Sequence, residues 1–209
     1  MSTEHTASVR SLVEALEGDP FYQAITPEHS NNITSRRAIL KDYFEYSMRE
    51  GEKLGRCTVL PGDDRGAAVW LLPTLPTVQA EAKATKDNAF AALLGKQGYA
   101  NYQRIIGFMA PRAEEATGSS AWYLSIMGVS PCAQGQGLGR KLLEPTLLEA
   151  DRANVLCYLE TFNPRSLHFY ERLGFASIES HLEPVTAAEY WIMLRQPNRS
   201  TQQTSSDSR

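Results

Sequence analysis

Apolar residues at Val9, Leu12, Val13 and Leu16 recur every three or four positions, which marks one helix face, and Gly18-Asp19-Pro20 stops the pattern. Residues 1–8 are small and polar and are expected to be flexible. Phe21 and Tyr22 follow as core plugs, and residues 26–34 read as loop. A second helix is predicted over 35–50. Ser35 is a good N-cap and Gly51 a stop, while Ile39, Tyr43 and Tyr46 lie beside Leu40, Phe44 and Met48 on a broad apolar face that excludes Lys41, Asp42 and Arg49. Residues 56–60, a Pro61-Gly62-Asp63-Asp64 turn and residues 66–72 then predict a hairpin, closed by Pro73 and Pro76.

The character changes over 77–120. Helices are predicted for 78–94 and 99–109, separated by a break at 95–98 and followed by a polar loop over 111–120. This helical insertion either roofs a site or caps the sheet face. A strand over 122–129 breaks at Pro131 and turns through Gly135, Gly137 and Gly139 into a helix over 140–154, distorted at Pro145. The near-continuous apolar run 155–161 has the pattern of a buried parallel strand. A short helix over 165–173 ends at Gly174, and strands over 175–182 and 189–194 complete the sheet. Residues 196–209 contain no apolar residue except Pro197, so a disordered tail is expected. The order predicts one α/β domain over 9–195, a mixed sheet built around one parallel crossover.

Composition changes this picture little. Of the 209 residues, 42% are hydrophobic and 22% charged, the balance of an ordinary globular chain. A net charge of -3 argues against a nucleic-acid partner, and no run reaches the roughly 20 apolar residues of a membrane span. Cys57, Cys132 and Cys157 have no metal-ligand spacing, so neither a metal nor a disulfide framework is expected and a reducing cytoplasm fits best. The start lacks a basic segment followed by an apolar run, so no secretory signal is expected and the Asn32-Ile33-Thr34 sequon is read as chance.

A strand running through glycines into a helix suits an anion, because the first helical amides have no intrahelical partner and the helix dipole adds positive potential. The spacing G-x-G-x-G matches neither a dinucleotide fingerprint nor a Walker A loop. Gln134-x-x-Gly137-x-Gly139, after Gly128-Val129-Ser130-Pro131, resembles the acetyl-CoA-binding motif of the GNAT N-acetyltransferase superfamily. The segment Leu159-Glu160-Thr161-Phe162-Asn163-Pro164, continuing to Tyr170-Glu171-Arg172-Leu173-Gly174-Phe175, looks like its second signature. The two motifs span about 55 residues in the superfamily's order. Within it, the pattern most resembles the puromycin N-acetyltransferases, with little likeness before Pro76 beyond Ala68-Val69-Trp70.

The resemblance implies a mixed, mostly antiparallel central sheet flanked by helices, with a splayed parallel strand pair and a helical insertion before the central strand. It implies acetyl-CoA as cosubstrate and a small-molecule amine, such as an antibiotic or toxin, as acceptor, and a monomer or homodimer is expected. Gln134, Gly135, Gln136, Gly137, Leu138, Gly139, Arg140 and Lys141 would hold the pyrophosphate, although superfamily members often carry a cation where this chain has Gln136. The backbone of Met127, Gly128 and Val129 would pair with pantetheine and supply an oxyanion donor, and Asn163 lies in the cofactor-side motif. Tyr170 would be the general acid. Glu160 is the first choice for general base; Glu28 and His29 are alternatives, a base is dispensable if the amine arrives neutral, and His168 is read as a surface residue. Two other readings remain: an acetyltransferase acting on protein or peptide amines, and a CoA-binding sensor without catalysis.

Overall fold

The computed structural model describes residues 6–198. Helix α1 (Thr6–Leu16) buries Val9, Leu12 and Val13 as their spacing requires. It begins inside the stretch expected to be flexible, and Ser8 is fully buried. The chain then forms a helix that was not anticipated, α2 (Pro20–Ala24): the Asp19 side chain caps it by accepting from the Phe21 amide at 2.9 Å, and Pro20 occupies the first turn. Pro20 starts a helix here rather than only ending one, because proline lacks an amide where a helix start needs none.

After a 3₁₀ turn (Pro27–His29) comes α3 (Ile33–Leu54). Asn32, three residues before the expected cap, accepts the Ser35 amide at 3.0 Å. Gly51 is no stop: it is buried inside the helix, where a Cβ would lie 2.6 Å from Val69 Cγ1. Strands β1 (Gly55–Leu60) and β2 (Asp63–Leu71) form the hairpin. The insertion is one long helical element, α4 (Pro76–Thr117), bent only at Gly95, whose φ is +69°. Gly98 is helical and sits against the Ile25 carbonyl. The predicted loop after Pro111 is instead two further helical turns, held because Ala113 and Thr117 face the core. Next come β3 (Trp122–Val129), a 3₁₀ turn (Pro131–Ala133), α5 (Leu138–Ala153), β4 (Cys157–Thr161), α6 (Pro164–Glu171), β5 (Ala176–Glu183) and β6 (Ala188–Arg195).

The six strands lie in the order β1-β2-β3-β4-β6-β5, antiparallel except for the β3/β4 pair. Two apolar clusters fill its two faces. One joins α1, α2, α3 and α4 to Val69, Ile126 and Ile192, and the other joins α5 and α6 to Trp70, Leu124, Leu159 and Met193. Of the expected disordered tail, Asn198 is described, its amide donating to Asp151 Oδ1 at 2.7 Å; residues 199–209 lie outside the described chain.

Candidate functional site

The central strands touch at one end only. Parallel pairing joins Trp122, Tyr123 and Leu124 to Cys157, Tyr158 and Leu159 and then ceases. On its other side β3 stays paired with β2 as far as Val129, with one register shift that leaves Ser125 as an extra residue between Leu124 and Ile126. This bulge turns the strand over. Trp122 and Leu124 lie in the α5 cluster, whereas beyond the bulge Met127 and Val129 do so and Ile126 belongs to the opposite cluster.

Backbone direction follows from one hydrogen bond. The Ser130 amide donates to the Arg65 carbonyl at 2.8 Å, so Arg65 and Ser130 form a hydrogen-bonded antiparallel pair. By alternation, Gly128 bonds to β2, and the backbone groups of Met127 and Val129 point the other way, into the gap toward β4. Of the three predicted backbone contacts, the geometry therefore presents Met127 and Val129. The Val129 carbonyl is held by the Gln134 side-chain amide at 3.0 Å.

At the mouth of the gap Gly137 is the N-cap of α5 in a left-handed conformation, φ +78°, and Gly135 is at φ +76°. A Cβ on either would meet only open space, so the turn presents bare backbone outward. Leu138 begins the helix rather than preceding it, and no side chain caps that end. Gly139 faces inward, where a Cβ would lie 2.7 Å from Met127 Cε and 3.0 Å from Phe169 Cζ. Exposed Arg140 and Lys141 occupy the first turn, Arg140 within 3.4 Å of Glu144. The turn, its free helix amides and two cations fit a phosphate group, and the adjoining unpaired strand edge fits an extended amide-bearing arm.

On the other side of the gap stand the titratable groups. Glu160, on β4, has a buried Oε1 without a hydrogen-bond partner, and burial pushes its carboxyl up to about 7, opposed by a hydrogen bond from Tyr123. The Tyr123 ring stacks on Tyr158 at 4.6 Å. Tyr170, on α6, is 7% exposed, its ring set between Phe169 and Phe175 at 5.0 and 5.9 Å. Burial, with Asp19 adding to it, holds its phenol above the ordinary range and therefore protonated. Asp19 is itself pushed up to about 6 by burial against the pull of the Phe21 amide. The α1–α2 corner had given no sequence signal beyond a stop, although Asp-Pro before two aromatics is also a capped helix start.

The remaining candidates have partners within the chain. Glu28 accepts the Gln97 amide at 3.1 Å and lies beside Gly95, so it caps the second half of α4. His29 Nδ1 is 2.8 Å from the Ser35 hydroxyl. Asn163 caps α6 by accepting from the Arg165 amide at 3.1 Å. His168 is exposed, 3.4 Å from Glu171. Among the described residues no cluster of three or more His, Cys, Asp or Glu is arranged to hold a metal, and no helix is long and apolar enough to cross a membrane.

Residues 90–177 match the family described as Acetyltransferase (GNAT) domain. An uncharacterized N-acetyltransferase of Schizosaccharomyces pombe is 38% identical over 188 residues, 85% of this chain and 72% of that protein. A mycothiol acetyltransferase of Jonesia denitrificans is 39% identical over 82 residues, 38% of this chain and 26% of its own length; this chain thus spans about a quarter of that relative. A solved structure described as histone acetyltransferase HPA2 and related acetyltransferase, from Corynebacterium glutamicum, has a TM-score of 0.61 at 20% identity, covering 95% of this chain and 94% of the other, and carries the fold. These relatives bear names other than puromycin acetyltransferase, so what they establish is the broader group: the chain belongs to the GNAT acetyltransferase family.

Proposed function

We propose that the chain is an acetyl-CoA-dependent N-acetyltransferase acting on a small-molecule amine. The observation that carries this reading is the one-ended β3/β4 pairing. It puts an outward-facing glycine turn and a free strand edge at one side of a gap, and a buried carboxyl and a buried phenol at the other. Bound acetyl-CoA supplies a thioester carbonyl and a thiol leaving group. The amides of residues 134–141, with Arg140 and Lys141, bind the pyrophosphate, and the Met127 and Val129 backbone orients the pantetheine. The Met127 amide, directed into the gap, is the oxyanion donor; Gly128, turned to β2, is not.

Glu160 acts as the base, because a carboxyl with a pKa near 7 is half ionised at neutral pH and can take a proton from an incoming ammonium. Tyr170 stays protonated at that pH and donates its proton to the departing sulfur. The compact acceptor is supported by α4, which packs Phe90 on Tyr43 at 4.6 Å and against Tyr102 at 5.2 Å, and so covers the face on which Glu160 lies. The experiment is free-thiol release from acetyl-CoA over a panel of small amines and N-terminal peptides. Turnover confined to peptides would replace the small-molecule acceptor, and acetyl-CoA binding without turnover on any amine would leave a sensor.

A further inference from the structure

The glycine turn carries Gln136 at a position where a cation would serve a diphosphate, and the structure brings one there from elsewhere in the chain. Arg65, at the start of β2, directs Nη1 to Gln136 Oε1 at 3.4 Å. Its backbone is fixed at the entry to the turn by the Ser130 amide, which donates to the Arg65 carbonyl at 2.8 Å. Gln136 is oriented from the other end by its own Nε2, which donates to the Cys132 carbonyl at 3.2 Å. The side chain of residue 65 is thus placed against the turn by strand pairing, 71 positions away in sequence.

The same guanidinium already grips an anion. Nε and Nη2 donate to Asp63 Oδ1 and Oδ2, both at 2.7 Å, the parallel two-bond geometry that guanidinium makes with carboxylate or phosphate. Arg65 holds the Asp63 carboxyl below its ordinary range, and Lys141 in the first turn of α5 contributes to the same effect. Asp63, Arg65, Lys141 and the free amides at the start of α5 therefore share one electrostatic neighbourhood in which a carboxylate now receives the positive charge. A phosphate brought to the turn would compete for the same fork, with the advantage of the helix amides that Asp63 does not reach.

We propose that Arg65 is a further cofactor-binding residue, a pyrophosphate contact that takes the place of a cation within the turn, and that Asp63 is the internal anion from which it is released on binding. This rests on the reading of the turn as the CoA site. Calorimetric titration with CoA and with dephospho-CoA, which lacks the 3′-phosphate but keeps the diphosphate, tests it without any turnover. Arg65→Ala is expected to weaken both ligands equally, by about 5- to 20-fold, as for loss of one charge-assisted contact. Asp63→Asn is expected to tighten both, and Gln136→Arg in the Arg65→Ala background to restore them, a rescue that a merely structural Arg65 would not permit. Unchanged affinities in folded Arg65→Ala would overturn the assignment, as would a loss seen with CoA but not with dephospho-CoA, which would move Arg65 to the 3′-phosphate. If the wild-type chain binds neither ligand, the turn itself has been misread, a result separable from any behaviour of the variants.

Discussion

The two ends of the β3/β4 pair use the same strands for opposite purposes. At the closed end Trp122, Cys157 and Arg195 form one row across three strands. The Arg195 guanidinium is locked on Asp151 by two bonds of 2.7 and 2.8 Å. Asp151 is 3% exposed; burial alone would raise its carboxyl, but Arg195 and the Asn198 amide outweigh that and leave it lowered. At the open end the Ser125 bulge turns β3 over, pairing with β4 lapses, and half-buried Glu160 keeps a buried oxygen with no partner. The buried charges are matched where the strands are fastened, and a buried carboxylate oxygen is left unmatched where they part. An unmatched buried carboxylate oxygen costs stability, so at the mouth of a gap Glu160 is a group that a bound amine would complete.

The largest effect should come from unfastening the closed end. Asp151→Ala leaves Arg195 buried and unpaired, and the expected loss is about 3–5 kcal/mol of folding stability. Thermal denaturation measures it. Turnover per folded molecule should be unchanged, since the gap lies at the other end; a fall in kcat at full foldedness would show that the two ends are coupled.

Next in size is Tyr170→Phe at the open end. The ring contacts with Phe169 and Phe175 survive the change, so stability should hold while kcat falls about 100- to 1,000-fold with KM for acetyl-CoA little altered. Wild-type kinetics in this variant would remove Tyr170 from the chemistry and leave it as a core aromatic.

How much of this contrast could be read from the chain follows from where the information lies. The glycine turn, the strand before it and the short helix α6 are local, and as elements they were legible in turn chemistry and apolar spacing, whereas the roles of their residues came from the resemblance. The capping role of Glu28 was not legible, because its partner Gln97 lies 69 residues on. The continuation of α4 through Pro111 escaped for a similar reason: local propensity ends the helix, but burial of Ala113 and Thr117 against a distant face carries it on. The bulge at Ser125 leaves no composition signal at all. It is set by a register between β2 and β3, and with it goes the choice of Met127 over Gly128 as the amide facing the gap.

Glu160 gives a third, pH-dependent effect. With its carboxyl near 7, kcat/KM should decline about tenfold per unit as pH falls below about 7, and Glu160→Gln should flatten that limb while lowering the rate about 10- to 100-fold at pH 8. The stability change has the opposite sense. A carboxyl raised above its unfolded value of 4.5 favours the fold in its protonated form, fully below that value, and the benefit is lost as pH rises through about 7. Glu160→Gln should therefore be more stable than the wild type at pH 8 and no more so at pH 4. An unmoved pH limb in this variant would assign the titration to Asp19, raised to about 6 beside Tyr170.

The smallest effect separates backbone strain from function at the open end, and it needs two glycines of the same conformation. Gly137 has φ +78° at the start of α5 and Gly62 has φ +72° in the β1–β2 turn, and a Cβ on either meets nothing within 4 Å. Alanine in the left-handed region costs about 1–2 kcal/mol at each, so the two variants should lose similar stability. Only the Gly137 variant adds a methyl where a phosphate must come close to the first amides of the helix. Its KM for acetyl-CoA should rise several-fold while that of Gly62→Ala stays at the wild-type value. Equal KM values would mean that the turn at Gly137 serves only to direct the chain from β3 into α5, and the comparison of the two ends would lose its cofactor side while keeping Glu160 and Tyr170.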